Sequence, residues 1–341
     1  MKDLKYLAAY INPLIALAGF FLGGIATYFN VIFVFVLVPI FDYLGPNSTK
    51  NLDLEEIEST KKNKLFDWLL YLNVPILYIV LFFYMDVLQT QNLSSFEIVG
   101  NIFSMGIVIG TCGINVAHEL GHRKSKIERV LAQILLIPAL YIHFFIEHNK
   151  GHHKNVATKL DPASAEKGET LYFFWCKSII GGYCNAWKLE NDRLVRNRTR
   201  SKIFKNKMVV FSVVQLVYLT FLFLLVSWQI FLAIVFAGII GVLLLETINY
   251  LEHYGLRRKL LDSNRYERVQ PKHSWNANYH FGRIVLYELT RHSDHHYVAS
   301  KKYQLLDHHE NSPQLPFGYP LMMLIAFVPP LWFKIVDSKI S

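Results

Sequence analysis

The sequence Val116-Ala117-His118-Glu119-Leu120-Gly121-His122-Arg123 closes an apolar stretch, residues 96–117, that is long enough to cross a lipid bilayer. A second histidine-rich stretch, Glu147-His148-Asn149-Lys150-Gly151-His152-His153, follows another apolar run, residues 127–146. If residues 127–146 crossed the bilayer, the two histidine groups would lie on opposite sides of it and could not form one site. We therefore expect residues 127–146 to form a re-entrant or interfacial segment packed beneath helices that do cross.

The composition indicates a membrane protein along the whole chain. Of its 341 residues, 52% are hydrophobic and 15% are aromatic, which is more than a soluble domain of this size usually carries. A hydrocarbon core about 30 Å thick needs roughly 20 helical residues to cross. Six stretches qualify, at about 6–24, 26–44, 65–88, 96–117, 208–227 and 229–250. The sequence thus predicts an all-α integral membrane protein with six transmembrane helices in a single membrane-embedded domain, residues 1–341.

Three further segments are assigned from their residues. The apolar run 319–336 contains Pro329-Pro330, and we assign it as interfacial too. Residues 50–64 are predicted to form a charged connection with helical propensity. The start Met1-Lys2-Asp3-Leu4-Lys5 resembles a signal peptide, but a second long apolar stretch follows almost at once, so we expect a retained first anchor.

The distribution of Lys and Arg predicts the side of the membrane on which each segment lies. The net charge of +9 is compatible with a nucleic-acid partner, but basic residues kept on cytoplasmic loops give a membrane protein the same excess, and we favour that explanation. The 45–64 connection contains four lysines, and no Lys or Arg occurs in the connections 22–26, 89–94 and 227–229. Both termini and the histidine-bearing segments 118–207 and 251–318 are therefore expected in the cytoplasm.

The 14 histidines are segregated, since none lies before His118. His118 and His122 are four residues apart at the end of the fourth span and should share one helical face. The spacing of His148 and His152 repeats that pattern, and it predicts that His153 projects about 100° away, toward a second ion. In residues 291–296 (RHSDHH), the spacing pairs His292 with His295 and leaves His296 as the adjacent third group, and His253 stands where the sixth span leaves the membrane.

These clusters predict a site for two metal ions. Neutral imidazole is the commonest protein ligand of first-row transition metals, and one ion takes four to six donors, so nine candidates imply two ions. The nine are His118, His122, His148, His152, His153, His253, His292, His295 and His296. Neighbouring carboxylates are not at ligand spacing, and we expect them to accept hydrogen bonds from ligand imidazoles. They are Glu119, Glu147, Glu252 and Asp294.

Other histidines and the cysteines receive more ordinary assignments. His143, His308 and His309 are interpreted as hydrogen-bonded surface groups, whereas His273 and His280 are candidates for contact with the ligands or for the wall of a pocket. The three cysteines form no CxxC pair, so neither a disulfide framework nor a thiolate metal site is predicted. They are Cys112, Cys176 and Cys184.

Four of these stretches resemble the signature motifs of the membrane alkane 1-monooxygenases, a family within the fatty-acid desaturase and hydroxylase superfamily. They are residues 118–123 (HELGHR), 147–153 (EHNKGHH), 249–255 (NYLEHYG) and 289–296 (LTRHSDHH). Supporting matches lie at 157–164 (ATKLDPAS), 273–276 (HSWN) and 312–319 (SPQLPFGY). The likeness covers about residues 110 to 320, and the first hundred residues match in hydropathy alone.

The resemblance implies a non-haem di-iron centre held by the nine histidines. It also implies dioxygen as co-substrate, a membrane-dissolved n-alkane as substrate, a primary alcohol as product, and a bacterial inner membrane. Electrons would come from a separate rubredoxin with its reductase, because a fused rubredoxin would need paired CxxC motifs and the sequence has none. Iron follows from the resemblance alone, since histidine-rich sites also bind copper, nickel or zinc. Asp161 and Asn276 stand in matching stretches and join the residues expected beside the ligands.

Several alternatives stay open on the sequence. A related enzyme, such as a fatty-acid desaturase or hydroxylase or a xylene-type monooxygenase, would share the histidine clusters. A metal transporter or sensor is disfavoured because its ligands should lie along a path near the bilayer centre. Basic groups near the site could dock an acidic electron donor or simply be the positive charges of cytoplasmic loops. They are Lys150, Arg257, Arg258 and Lys259.

Overall fold

The computed structural model describes residues 2–198 and 203–340, so Met1, residues 199–202 of the predicted segment 118–207, and Ser341 lie outside it. Within the described residues the chain is helical, and β-type pairing is limited to three isolated bridges. Apart from short 3-10 turns, the helices in chain order are α1 (Asp3–Leu22), α2 (Gly24–Leu44), α3 (Leu54–Lys62), α4 (Leu65–Thr90), α5 (Ser95–Gly121), α6 (Lys126–Leu135), α7 (144–155), α8 (Leu171–Arg196), α9 (Lys207–Leu225), α10 (Trp228–His253), α11 (His280–Val285), α12 (His292–Tyr297), α13 (Tyr319–Ala326) and α14 (Pro329–Val336).

Six helices in the described chain are long and apolar enough to span a membrane, as predicted. They are α1, α2, α4, α5, α9 and α10. Two of them run further than the hydropathy indicated, because α5 continues to Gly121 and α10 to His253. His118 and His253 therefore belong to the last turns of long, rigid helices.

Local signals explain where α5 begins. Ser94 accepts a hydrogen bond from the backbone N–H of Glu97, and the Glu97 carboxylate accepts one from the backbone N–H of Ser94, which forms a capping box. The same carboxylate accepts a hydrogen bond of 2.7 Å from the backbone N–H of Gly24. The start of α5 is thus joined to the turn between α1 and α2.

Small residues let α5 and α10 pack closely at the centre of the fold. A Cβ atom on Gly106 would lie 2.5 Å from the Ile240 side chain, and one on Gly241 would lie 2.7 Å from the Ile109 side chain. Glycine at these positions permits the close helix approach that is common between membrane helices. The close contact fixes the ends of α5 and α10 relative to each other.

Residues 127–146 do not form a spanning helix, as expected. The ten-residue helix α6 ends at Leu135, the chain turns through Leu140 with a φ of 55°, and α7 begins at Phe144. A Cβ atom on Gly238 of α10 would lie 2.8 Å from the Pro138 carbonyl oxygen, so the turn packs directly on α10. The run 319–336 is likewise divided into two eight-residue helices, α13 and α14.

The helix α8 was not predicted. It has 26 residues, and its N-cap is Thr170, whose side chain accepts a hydrogen bond from the backbone N–H of Phe173. Charged residues such as Lys177, Lys188 and Glu190 interrupt its apolar positions, which is why hydropathy did not reveal it. It packs beside α10 and α7 and closes one side of the histidine site.

Candidate metal centre

Four elements carry the nine predicted ligands. His118 lies in the last turn of α5, immediately after a π-helical stretch, Ile109–Asn115, and His122 directly follows that helix. The helix α7 comprises Phe144–Glu147, a π-helical turn His148–His152, and His153–Asn155. The last residue of α10 is His253, and α12 carries His292, His295 and His296.

The structure brings the nine side chains together in two groups. In each group, the candidate ligand atoms all lie within 4.8 Å of one another. The first group comprises His118, His122, His148, His153 and His295. The second group comprises His152, His253, His292 and His296.

The predicted pairing within α7 is wrong. His148 was expected to pair with His152, but its Nε2 lies 3.0 Å from Nε2 of His153, while Nε2 of His152 lies 3.2 Å from Nε2 of His296 in the second group. The cause is the π-helical turn, in which the hydrogen bonds run from i to i+5. The wider turn brings residues five apart onto one side of the helix, so His153 can join His148, while Nε2 of His152 faces the second group.

The predicted pairing within α12 is also wrong. His292 shares the second group with His296, and His295 turns to the first group, where its Nε2 lies 3.1 Å from Nε2 of His153. On an α-helix, residues four apart differ in direction by about 40° and residues three apart by about 60°. By contrast, the predicted pairing of His118 with His122 is confirmed, since both belong to the first group.

The spacing of the ring nitrogens fits metal binding. Five Nε2 pairs lie 3.0 to 3.2 Å apart, namely His122–His148, His148–His153, His153–His295, His152–His296 and His253–His292. Two nitrogens bound about 2.1 Å from one ion at a right angle are about 3.0 Å apart. The Nε2 atom of His118 is buried and has no hydrogen-bond partner among the described residues, so an ion would satisfy it.

The charge state of the imidazole rings is also compatible with metal binding. Burial, followed by the neighbouring histidines, lowers the pKa of His148, His292, His295 and His296 well below the usual value. These imidazoles are therefore neutral at pH 7, which is the form that binds metals.

Asp161 contacts the ring of a predicted ligand. Its Oδ2 atom lies 2.9 Å from Nδ1 of His152, which leaves Nε2 of that ring for the second group. Burial raises the pKa of Asp161, but His152 and the Ser164 hydroxyl outweigh it and hold that pKa below its usual value. For His152, burial lowers the pKa, and Asp161 reverses the shift and raises it.

Three other carboxylates do not contact ligand rings, contrary to expectation. Glu119 pairs with Arg123 at 2.7 Å and accepts a hydrogen bond from the backbone N–H of Tyr303. Glu147 accepts a hydrogen bond from the Asn185 amide, and Asp294 accepts from Lys301 and pairs with His309. Adjacent residues on a helix project about 100° apart, so a carboxylate next to a ligand histidine points elsewhere.

Glu252 also differs from the prediction. Its Oε2 atom lies 3.1 Å from Nε2 of His292, the nitrogen that faces the second group, rather than at the outer nitrogen Nδ1. Its Oε1 atom accepts a hydrogen bond of 2.9 Å from the Tyr319 hydroxyl. The carboxylate thus stands on the side of the ring where an ion would bind.

Of the remaining candidates, Asn276 stabilises the position of α12, and the others make contacts outside the two histidine groups. The Asn276 amide donates to the Ser293 hydroxyl and accepts from the Ser293 backbone N–H, which holds α12 in place. His273 pairs with Glu267, and the half-buried His280 forms no hydrogen bond or ring contact with a predicted ligand in the described chain. Of the histidines assigned as hydrogen-bonded surface groups, His309 agrees with the assignment, since it is partly exposed and pairs with Asp294. The assignment is wrong for His143, which is buried and whose Nε2 has no hydrogen-bond partner among the described residues. His308 pairs with Asn278.

Two buried networks were missed. Glu246 accepts hydrogen bonds from Tyr141, Ser178 and Asn249, and thereby ties the turn before α7 and helix α8 to α10. Sequence offered one signal, because Glu246 is a lone acidic residue inside an apolar span.

The second network orders the loop that precedes α3. The Arg291 guanidinium donates to the backbone carbonyls of Ser48, Lys50 and Leu306. Arg291 directly precedes His292, so these bonds hold the start of α12 against the 45–53 loop.

A small apolar cavity is lined by residues of both histidine groups. At its metal end it is bordered by His118 of the first group and by His292 and Glu252 near the second. It continues along α5 to Ile107, a distance of roughly 16 Å at the helical rise. Its other walls come from α2, α10 and α13. Its volume is about 70 Å³, roughly half of a cavity that holds benzene, so side chains must separate to admit a larger ligand.

The opposite side of the first group reaches the protein surface. His122 and His153 are partly exposed, unlike the seven other predicted ligands. Lys150 and Lys154 beside them are exposed. Of the other predicted docking residues, Arg258 is committed to backbone carbonyls, Arg257 pairs with Glu166, and Lys259 is exposed.

Comparisons with known proteins agree with this geometry. Residues 97–326 match the family model described as fatty acid desaturase. The chain is 34% identical to alkane 1-monooxygenase 2 of Alcanivorax borkumensis, with 100% of this chain and 91% of that protein covered. It is 38% identical to alkane 1-monooxygenase of Pseudomonas putida, over 89% and 75% of the two chains. It is 26% identical to the xylene/toluene monooxygenase hydroxylase component of Pseudomonas putida, over 98% and 88%.

Proposed function

Because the chain belongs to the alkane 1-monooxygenase family, within the fatty acid desaturase superfamily, we propose that it hydroxylates the terminal methyl group of n-alkanes to primary alcohols with dioxygen. The chain is an integral membrane enzyme, acting as one membrane-embedded catalytic domain. The observation that carries the proposal is the apolar cavity, which is lined by His118 of one histidine group and His292 of the other.

The two histidine groups are assigned to two iron ions. The first group would hold one ion with five imidazoles, and the second group would hold the other with four. The iron pair supplies the activation of dioxygen that breaks an unactivated C–H bond, chemistry that no side chain carries. Asp161 fixes the tautomer of His152, and Asn276 holds the helix that bears three of the ligands.

The cavity accounts for substrate selection. An n-alkane has no polar group, so only shape and burial of apolar surface can bind it. Residues such as Ile107, Leu244 and Met323 provide that surface. An extended chain that lies along α5 in this cavity presents its terminal methyl group to the histidines. This geometry favours hydroxylation at the end of the chain.

Electrons are proposed to come from rubredoxin, itself reduced by rubredoxin reductase. The donor would dock where His122 and His153 reach the surface, on the side away from the cavity. Exposed Lys150 and Lys154 give this side a positive charge that would attract an acidic protein. We assign the chain to the bacterial inner membrane, with this side and both termini in the cytoplasm, because the basic residues collect in these segments.

Product analysis tests the substrate. The purified chain in lipid nanodiscs is combined with rubredoxin, its reductase and labelled dioxygen, and is supplied separately with octane, hexadecane, xylene and fatty acid. We expect labelled 1-octanol or 1-hexadecanol, and no alcohol from a His295→Ala variant. Modification of acyl chains alone would instead identify a desaturase or fatty-acid hydroxylase. Oxidation of xylene alone would identify an aromatic side-chain monooxygenase.

A further inference from the structure

The carboxylate of Glu252 occupies an unusual position at the edge of the second histidine group. It lies in the last turn of α10, directly before His253, and is 1% exposed. One oxygen, Oε2, is 3.1 Å from Nε2 of His292. The other, Oε1, is held by the Tyr319 hydroxyl at 2.9 Å. The side chain therefore has a fixed orientation with one oxygen directed toward the group.

The side of the ring that Glu252 approaches is the metal-facing side. Nε2 of His292 also lies 3.1 Å from Nε2 of His253, whereas Nδ1 of His292 has no hydrogen-bond partner in the described chain. The separation between Oε2 and Nε2 matches the separations among the histidine nitrogens. It is also close to the spacing of about 3.0 Å expected for two donors at a right angle on one ion.

The charge of Glu252 lacks an ordinary partner. Among the residues that the structure describes, no Lys or Arg forms an ion pair with it, and the basic side chain paired with it within 4.0 Å is the imidazole of His292. A buried carboxyl remains ionised only when it is paired with a cation or bound to a metal, and without such a partner it keeps its proton. Glu119 provides the contrast, because it stands beside His118 but is neutralised by Arg123.

We propose that Glu252 is an oxygen donor to the ion held by His152, His253, His292 and His296. This inference rests on the proposed two-metal site and adds one ligand to it. The ion in the second group then has five donors, as many as the first group offers with histidines alone.

The two ions would consequently differ in their surroundings. The second ion has an anionic donor and a ligand, His152, that is hydrogen-bonded to Asp161. The first ion would have five imidazoles, and the ligand–carboxylate pairs in the described chain, His152–Asp161 and His292–Glu252, both belong to the second group. Because Glu252 lines the apolar cavity, its carboxylate would lie between the second ion and a substrate bound there.

Metal binding without turnover tests this inference. The full chain is stripped of metal, titrated anaerobically with ferrous iron alone, desalted and assayed for iron per chain and by Mössbauer spectroscopy. The wild-type chain is expected to retain about two irons in two distinct environments, one for each group. Glu252→Gln keeps the volume but removes the charge, and should retain about one iron, with one Mössbauer environment lost.

Two matched variants complete the design. Glu119→Gln removes a buried carboxylate that also adjoins a ligand histidine, and Tyr319→Phe removes only the hydrogen bond to Glu252. Both should keep about two irons, and only monodisperse protein is compared, so that misfolding does not count as metal loss. Full iron retention by Glu252→Gln, or equal loss in Glu119→Gln, overturns the role of Glu252 and leaves the histidine site standing. A wild-type chain that binds no iron overturns the two-metal site as well.

Discussion

Replacement of Asp161 by Asn is the most direct test of how the protein orients a ligand. The carboxylate lies 2.9 Å from Nδ1 of His152 and also accepts hydrogen bonds from the Ser164 hydroxyl and the Ala163 backbone N–H. Asn preserves the shape but replaces a charge-assisted hydrogen bond with a neutral one of about half the strength. Loss of such a partner typically weakens metal binding about 10- to 100-fold, which corresponds to about 1.4 to 2.7 kcal/mol.

The assay is a competition titration. Apo protein is titrated with ferrous iron against a chelator of known affinity, and the two binding steps are fitted separately. The step for the second group should weaken in Asp161→Asn, while the step for the first group stays within about twofold, because Asp161 touches only His152 among the ligands. Asp192→Asn, an exposed change of the same charge on α8, is the control and should leave both steps unchanged. An Asp161→Asn variant with wild-type affinity in both steps would refute the role of this carboxylate.

Three further changes test other parts of the structure. Deletion of Lys150 should turn the π-helical stretch of α7 into an α-helix and reduce bound iron from about two ions per chain to one or fewer. The control is Lys150→Ala, which removes only an exposed side chain and should retain both ions. Leu244→Trp should fill the part of the cavity away from the histidines and lower the ratio of hexadecane turnover to octane turnover about tenfold. Leu243→Trp, which lies outside the cavity, is the comparison and should leave that ratio unchanged. Glu288→Gln leaves Arg283 without its buried carboxylate and should cost about 3 kcal/mol at pH 7. The thermal midpoint in micelles should report that cost, and the difference from wild type should shrink as the pH falls below 4.5.

The direction of the pH effect follows from the environment of Glu288. Burial raises the pKa of this carboxyl, but the positive charges of Arg283 and Lys5 lower the pKa by more than burial raises it. The folded-state pKa therefore lies below the usual 4.5. Above that usual value the carboxyl is ionised in both the folded and the unfolded chain, and its contribution to stability is complete. As the pH falls through the folded-state pKa, the contribution is lost. A midpoint difference that stays constant down to pH 3 would contradict this assignment.

Hydropathy and histidine spacing predicted much of the architecture for a simple physical reason. A bilayer forces a long apolar run into a helix, so α4 and α10 could be recognised from composition alone. Nine imidazoles have to meet to bind ions, and this requirement excluded a crossing for residues 127–146. Asp161 was found from its place in a motif, and its contact with His152 bridges only nine residues of chain.

The predictions that were wrong share a different physical reason. The direction of a side chain depends on backbone geometry, which residue spacing does not encode. No residue in the turn His148–His152 indicates a π-helix, yet the side chain of His152 lies in the second group rather than in the first with His148. Likewise, Glu119 and Asp294 stand beside ligands in sequence, but their partners, Arg123 and Lys301, are chosen by the direction of each side chain. Glu246 needed Tyr141 and Ser178, which lie 105 and 68 residues away in the chain.

The way in which the helices share the ligands couples the two histidine groups. The helix α5 and the residue after it contribute histidines to the first group alone, and α10 contributes a histidine to the second alone. By contrast, α7 gives His148 and His153 to the first group and His152 to the second, while α12 gives His295 to the first and two histidines to the second. Any shift of α7 or α12 that opens one group therefore distorts the other. The Asn276 and Arg291 hydrogen bonds hold α12, and Glu246 holds the turn that leads into α7, so these buried polar networks keep both groups intact at once.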